Sequence, residues 1–162
     1  MNTRSASTER RTTETDVKVE VNLDGQGEAS ISSGVGFLDH MLATLAKHSK
    51  MDIRLTCAGD IHVDDHHTAE DCAIALGKAI DSALGERTGI KRFGYAYAPL
   101  DEALSRAVVD LSGRAHSTVS LALVRDKLGQ LSCENVSHFI TSLASSLRAA
   151  IHVDLLRGEN DH

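Results

Sequence analysis

One motif occurs twice in the chain and constrains its fold more than any other feature. His40-Met41-Leu42-Ala43-Thr44-Leu45-Ala46 and His138-Phe139-Ile140-Thr141-Ser142-Leu143-Ala144 each lead with a histidine, follow it with two large apolar residues and place Leu-Ala at the same offset. Thirteen residues after each histidine stands an isoleucine, Ile53 or Ile151, at the head of a strand-like run. The first copy then passes through Gly59 to Asp65-His66-His67, and the second through Gly158-Glu159-Asn160 to Asp161-His162, two residues shorter. Helix-then-strand segments resemble one another by chance, but the return of both the histidine and the Asp-His favours a true repeat. A duplicated chain of 162 residues predicts an α+β fold of two similar halves. Each half is a small mixed β-sheet with helices on one face. The halves are expected over residues 14–94 and 95–162, with residues 1–13, rich in Ser, Thr and Arg, as a flexible N-terminal tail. The first copy continues into a second histidine, a glutamate and a long apolar-faced helix. The second copy ends before these, so the second half is expected without its last helix.

Local patterns fill in the halves. Val17, Val19, Val21 and Leu23 alternate with polar residues, and Asp24-Gly25 predicts a hairpin turn back into Ala29 and Ile31. Apolar residues at 38, 41, 42, 45 and 46 predict a helix over 37–48 that carries His40 and His48. A strand is expected over 51–57 and a helix over 72–86. Thr88 to Gly94, followed by the only proline, Pro99, marks the junction. Strands through Ala107, Val109 and Leu111 and over 118–124 follow, then a polar turn at 126–129.

The densest chemistry lies between Gly59 and Asp71, where three histidines and five acids fall within thirteen residues at the mouth of the second helix. Successive helical residues point about 100° apart, whereas residues three or four apart share a face. His67 and Glu70 can therefore hold one ion while His66 looks elsewhere, and the pattern predicts two metal ions. A mixed imidazole and carboxylate set suits Mn(II), Fe(II) or Zn(II). No His-Glu-x-x-His spacing is present, which argues against a metalloprotease. The plain alternative is a solvated acidic loop before a helix. Lys91 and Arg92, close to Gly89 and Gly94, suit a phosphate as well as bulk water.

Composition excludes several classes. A net charge of −6 and the absence of Trp, with two Tyr and three Phe, give little for a nucleic-acid partner. Cys57, Cys72 and Cys133 are odd in number and lie in apolar contexts without Cys-x-x-Cys spacing, as buried thiols of a reducing compartment would. No run is long enough to span a bilayer and no signal-peptide core is present, so a cytoplasmic protein without a membrane partner is expected.

The motifs Phe37-Leu38-Asp39-His40-Met41, Gly59 to Asp71, Pro99-Leu100-Asp101-Glu102-Ala103-Leu104 and Asp110-Leu111-Ser112-Gly113-Arg114 closely resemble imidazoleglycerol-phosphate dehydratase of histidine biosynthesis. The resemblance runs from about Glu9 to His162. It implies a hydro-lyase that converts imidazole glycerol phosphate to imidazole acetol phosphate with two Mn(II) per subunit. By motif, His66, His138 and His162 would share one ion, and His40, His67 and Glu70 the other. Glu14 matches the family's acid/base glutamate and Glu70 joins it as a catalytic residue. Arg92 and Arg114 match phosphate-binding arginines, and the segment from His40 to His48, with Met41, matches part of the substrate pocket, which His66 and His67 also line. The family assembles as a homo-oligomeric shell of 24 subunits built from trimers, its sites drawing on neighbours. An inactive, shortened member that retains only metal-dependent assembly is the alternative. Two departures are visible: Ala115-His116 replaces the family's Pro-Tyr after Ser-Gly-Arg, and the family continues beyond the position of His162.

Overall fold

The structure is a computed structural model that describes residues 4–162. In chain order the elements are β1 (Ser5–Arg11), β2 (Thr15–Asn22), β3 (Ala29–Ser32), α1 (Gly36–Ser49), β4 (Asp52–Gly59), α2 (His66–Leu84), β5 (Phe93–Leu100), β6 (Ala103–Asp110), β7 (His116–Ser120), β8 (Lys127–Leu128), β9 (Leu131–Ser132), α3 (Cys133–Leu147) and β10 (Ala150–Arg157).

The duplication read from the sequence is present in the topology. One sheet has the order β1-β2-β4-β3 and the other β5-β6-β10-β7. In each, the first three strands are antiparallel and the last pairs in parallel with its neighbour. A parallel pair needs a crossover. α1 supplies it between β3 and β4, and α3 supplies it between β7 and β10. The two histidine motifs are therefore equivalent turns of equivalent helices.

α2 is the central element of the core. Its buried residues include Ala69, Cys72, Ala73, Ala75, Leu76, Gly77, Ala79, Ile80 and Ala83, nearly all the way round the helix. A helix apolar on every side belongs in an interior, and α2 packs on β1 and β2 on one side and on α3 on the other. Val17, Val19 and Val21 face it from β2, with Ile53 and Leu55 from β4 in the same core. At Gly77 an added Cβ would run into Ser146 Oγ and lie 2.9 Å from the Leu147 amide and 3.0 Å from the Leu143 carbonyl. The small residues of α2 let the two helix backbones approach this closely.

Three expectations need correction. The N-terminal tail does not hold for the described part, since Ser5–Arg11 is a full strand in register with β2. Its residues are mostly polar, so composition suggests a tail. What orders it is backbone pairing together with Arg4 on Asp24 and Arg10 on Asp71. Residues 1–3 lie outside the described residues. Second, Asp24-Gly25 does not close a hairpin, because β4 inserts between β2 and β3. Asp52 of β4 accepts from the amides of Gln26, Gly27 and Glu28 and so clamps the connecting loop across the sheet. Third, the long helix begins at His66, six residues earlier than its apolar spacing indicates, which moves the clustered ligands onto its first turn. The polar turn at 126–129 is half of a small hairpin, β8 against β9.

All three cysteines are free, with Cys72 and Cys133 buried and Cys57 half-buried. The Cys72 thiol is pushed up by its hydrogen bond with Cys57 and by burial. Among the described residues no helix is long and apolar enough to cross a membrane.

Candidate metal centre and its surroundings

The three helices bring their N-terminal ends together. Asp65, immediately before α2, accepts from the Ser132 amide at 2.6 Å and the Ser132 hydroxyl at 2.7 Å, and Ser132 immediately precedes α3. Arg87, beyond the C-terminus of α2, donates to the carbonyls of Leu147 and Arg148 at the C-terminus of α3. With starts and ends both paired, the two helices run in the same direction. α1 begins nearby, its Gly36 amide donating to Gln130 Oε1 of the β8–β9 turn.

At this end the ligand atoms of His66, Glu70 and His138 all lie within 4.8 Å of one another. His138 Nε2 is 3.1 Å from Glu70 Oε1, and the His66 and His138 rings stack with centroids 4.6 Å apart. An ion with bonds of about 2.0–2.2 Å spans such a set after small side-chain rotations. All three residues are half-buried, so the ligands are accessible yet held. Residues 66 and 70 are one helical turn apart, and α3 delivers His138 opposite them.

Of the other predicted ligands, His67 follows His66 on α2, and His40 of α1 lies beside His162. His67 places Nδ1 3.0 Å from Asp60 Oδ2, and this hydrogen bond raises its pKa above the usual histidine range despite some desolvation. The His40 ring lies 5.8 Å from that of His162, and Phe37 packs edge-on against His162 at 5.3 Å. Within one chain, then, Glu70 stands with His66 and His138, not with His40 and His67 as the resemblance divides them. The spacing argument counted His67 and Glu70, three apart, as one face, but His66 and Glu70, four apart, share a face equally well. Within one chain α3 places His138 beside His66 and Glu70.

Glu14 lies in the β1–β2 turn. Its carboxylate accepts from the Thr13 hydroxyl at 2.6 Å, and hydrogen bonds from Thr13 and then Thr12 hold it below the usual glutamate range. The turn is tied down twice. The Asp60 amide donates to the Glu14 carbonyl, and buried Asp71 of α2 accepts from Thr15 Oγ1 at 2.5 Å and Arg10 Nε at 2.7 Å. This clamp sets Glu14 beside the His67 end of α2, and neither the composition nor the spacing of the tail predicts it.

The remaining predicted residues are elsewhere. Arg92 forms a two-pronged pair with Asp110, at 2.6 and 2.9 Å. Arg114 adds its positive charge near the same carboxylate, which the Arg92 hydrogen bond holds below its usual range. Asp110 pairs with Ala150 just past the C-terminus of α3. His138 stands nine residues before the end of α3, about 14 Å along its axis, so the arginines and the ligands lie toward opposite ends of the helices. His48 is exposed near the far end of α1, two turns from His40 and half-buried Met41.

The model of the imidazoleglycerol-phosphate dehydratase family matches residues 33–162. The chain belongs to the imidazoleglycerol-phosphate dehydratase family. It is 58% identical over 159 residues to the Phytophthora nicotianae imidazoleglycerol-phosphate dehydratase, covering 98% of this chain and 35% of that longer protein. To the Trichoderma harzianum dehydratase it is 50% identical, covering 98% of this chain and 88% of the relative. The crystal structure of imidazoleglycerol-phosphate dehydratase from Staphylococcus aureus subsp. aureus N315 superposes with a TM-score of 0.83 at 32% identity, over 95% of this chain and 86% of that one. The Pyrococcus furiosus enzyme, solved in complex with (S)-C348, superposes with a TM-score of 0.80 at 36% identity, over 94% and 81%. The dehydratase fold is thus shared over nearly all of the chain.

Proposed function

We propose that the chain removes water from imidazole glycerol phosphate to give imidazole acetol phosphate, in histidine biosynthesis in the cytoplasm, at a centre for two Mn(II) ions. The observation that carries this reading is the cluster of His66, Glu70 and His138 at the joined helix N-termini, in a chain of the dehydratase family. His40, His67 and His162 are the remaining imidazole donors, and the division into His66, His138, His162 and His40, His67, Glu70 applies when copies associate. Ions held by these residues would supply positive charge that lowers the cost of an anionic imidazole ring.

The chain's own groups do the rest. Glu14, held ionised by the threonine hydroxyls, takes the carbon-bound hydrogen as a proton. The electron pair it leaves forms the new double bond as hydroxide departs, and protonation of the hydroxide completes the water. The resulting enol converts to the ketone. Arg92 and Arg114 grip the phosphate with charge-assisted hydrogen bonds and so hold the reacting carbons in place. Because these arginines sit at the opposite pole, they serve the site of a neighbouring copy, which accords with a homo-oligomeric shell of 24 subunits.

The same separation of poles favours a second reading, metal-dependent assembly without turnover. Metal content and dehydration of the substrate, measured together on this chain, decide between them. Turnover that chelator abolishes and Mn(II) restores supports the enzyme; bound Mn(II) with chelator-sensitive size and no turnover supports assembly alone. In the enzyme, Glu70→Ala empties the centre, whereas Arg114→Ala keeps the metal and raises KM about 10–100-fold. Equal metal loss in the two variants would contradict the roles assigned.

A further inference from the structure

His116 stands where the family pattern has tyrosine, and the proposed reaction makes no use of it. Its ring centre lies 5.5 Å from that of His152, with the two planes tilted by 44°. We propose that His116 and His152 form a second metal site, on the outer face of the second sheet, for a divalent ion that prefers nitrogen: Zn(II), Ni(II) or Cu(II). The site is separate from the helix-end cluster of His66, Glu70 and His138 and does not depend on how that cluster is read.

The strands put both rings on one side of the sheet. β7 and β10 run parallel, with His116 opposite Ala150 and Thr118 opposite His152. Between the two, Ser117 Oγ donates to Thr141 Oγ1 of α3, and Ile151, opposite Ser117, is buried. Alternation then turns His116, Thr118 and His152 away from α3, and all three are exposed. His116 Nε2 lies 3.1 Å from Thr118 Oγ1. That nitrogen is therefore turned toward the row that carries His152.

The separation suits one shared ion. With metal–nitrogen bonds of about 2.0–2.1 Å, each ring centre sits about 3.2 Å from the ion, so two imidazoles at a tetrahedral angle have centres about 5.2 Å apart. The observed 5.5 Å is a small side-chain rotation away. The neighbouring carboxylates are already engaged. Asp154, two residues beyond His152, accepts from Arg106, and Asp110, opposite Ala150, accepts from Arg92. What faces the ion is imidazole nitrogen, with water and the Thr118 hydroxyl nearby to complete its surroundings. Such a set favours the later first-row ions over Mn(II), which suits carboxylate and water oxygen. The plain alternative is two solvated histidines that act independently.

Equilibrium dialysis of the whole chain against Ni(II) at about pH 8, where ordinary imidazole is neutral, tests the site by difference. At the lowest free Ni(II) that saturates wild type, His116→Tyr and His152→Gln should each bind one Ni(II) per chain fewer, whatever the helix-end cluster takes up. The double variant should lose no more than either single one, because both rings serve one ion. An unchanged count in either single variant, or losses that add in the double one, overturns the proposal. Mn(II) uptake measured in the same way should be equal in all four proteins, and a lower Mn(II) count in the histidine variants overturns the choice of ion. Should His116→Tyr not fold, His116→Gln takes its place. Wild-type protein that takes up no Mn(II) counts against the metal centre of the proposed function, and the Ni(II) difference still decides this site.

Discussion

Asp81 shows how one side chain couples the two central helices. Burial pushes its carboxyl up, but hydrogen bonds from Arg148 and Arg87 outweigh burial and hold it below the ordinary aspartate value. Arg87, whose side chain is 9% exposed, pairs with Asp81 and also donates to Leu147 O. Without Asp81 that guanidinium would be a buried charge with only carbonyl partners. Asp81→Ala should therefore cost about 2–3 kcal/mol near pH 7. A carboxyl with a depressed folded-state pKa stabilises above its unfolded value of about 3.9 and loses that contribution as pH falls through the folded value. Denaturant unfolding of wild type and variant should thus show a gap that closes below about pH 4. A gap that stays constant down to pH 3 would remove the ion pair from the explanation.

At the scale of elements, the contact of α2 with α3 is set by Gly77. Alanine there would gain about 1 kcal/mol of helix propensity. Its Cβ, however, would meet Ser146 and two backbone atoms of α3, and overpacking of this kind costs about 1–3 kcal/mol. Backbone cannot swing aside as a side chain can, so Gly77→Ala should be destabilised by about 1–2 kcal/mol, with Tm lowered by about 2–8 °C. A raised Tm would show that propensity wins and that the helices can separate without cost. Because these helices carry His66, Glu70 and His138, the same variant should also weaken Mn(II) binding. The strand β1 makes a related point: it adds little apolar surface, yet through Arg10 and Asp71 it fixes the turn that carries Glu14.

For the whole molecule, the decisive fact is polarity along the helices. Ligands gather at one end and Arg92 with Arg114 at the other, so one chain does not complete the proposed site. Co-assembled Glu70→Ala and Arg114→Ala chains should then recover dehydration that each lacks or performs poorly alone, because a composite site can take its ligands from one copy and its arginine from the other. Mixed assemblies no more active than the sum of their parts would mean that each copy serves itself.

Two similar α+β halves, a helix over 37–48, the alternating core strands and the cluster between Gly59 and Asp71 were legible in residue order. Periodicity and spacing are local properties, and a repeat is visible wherever both copies remain. Which neighbours those elements met was not legible. β4 inserting beside β2, the Arg10–Asp71 pair that helps hold β1, the company of Glu70 and the contact of Asn135 with His66 all depend on residues dozens of positions apart. Sequence supplied the candidate ligands and the helices that carry them, whereas the directions of α2 and α3 decided that His138 meets His66 and Glu70 within one chain. That choice follows from packing across the core, where Gly77, Asp81 and Asp65 hold two helix backbones in one alignment.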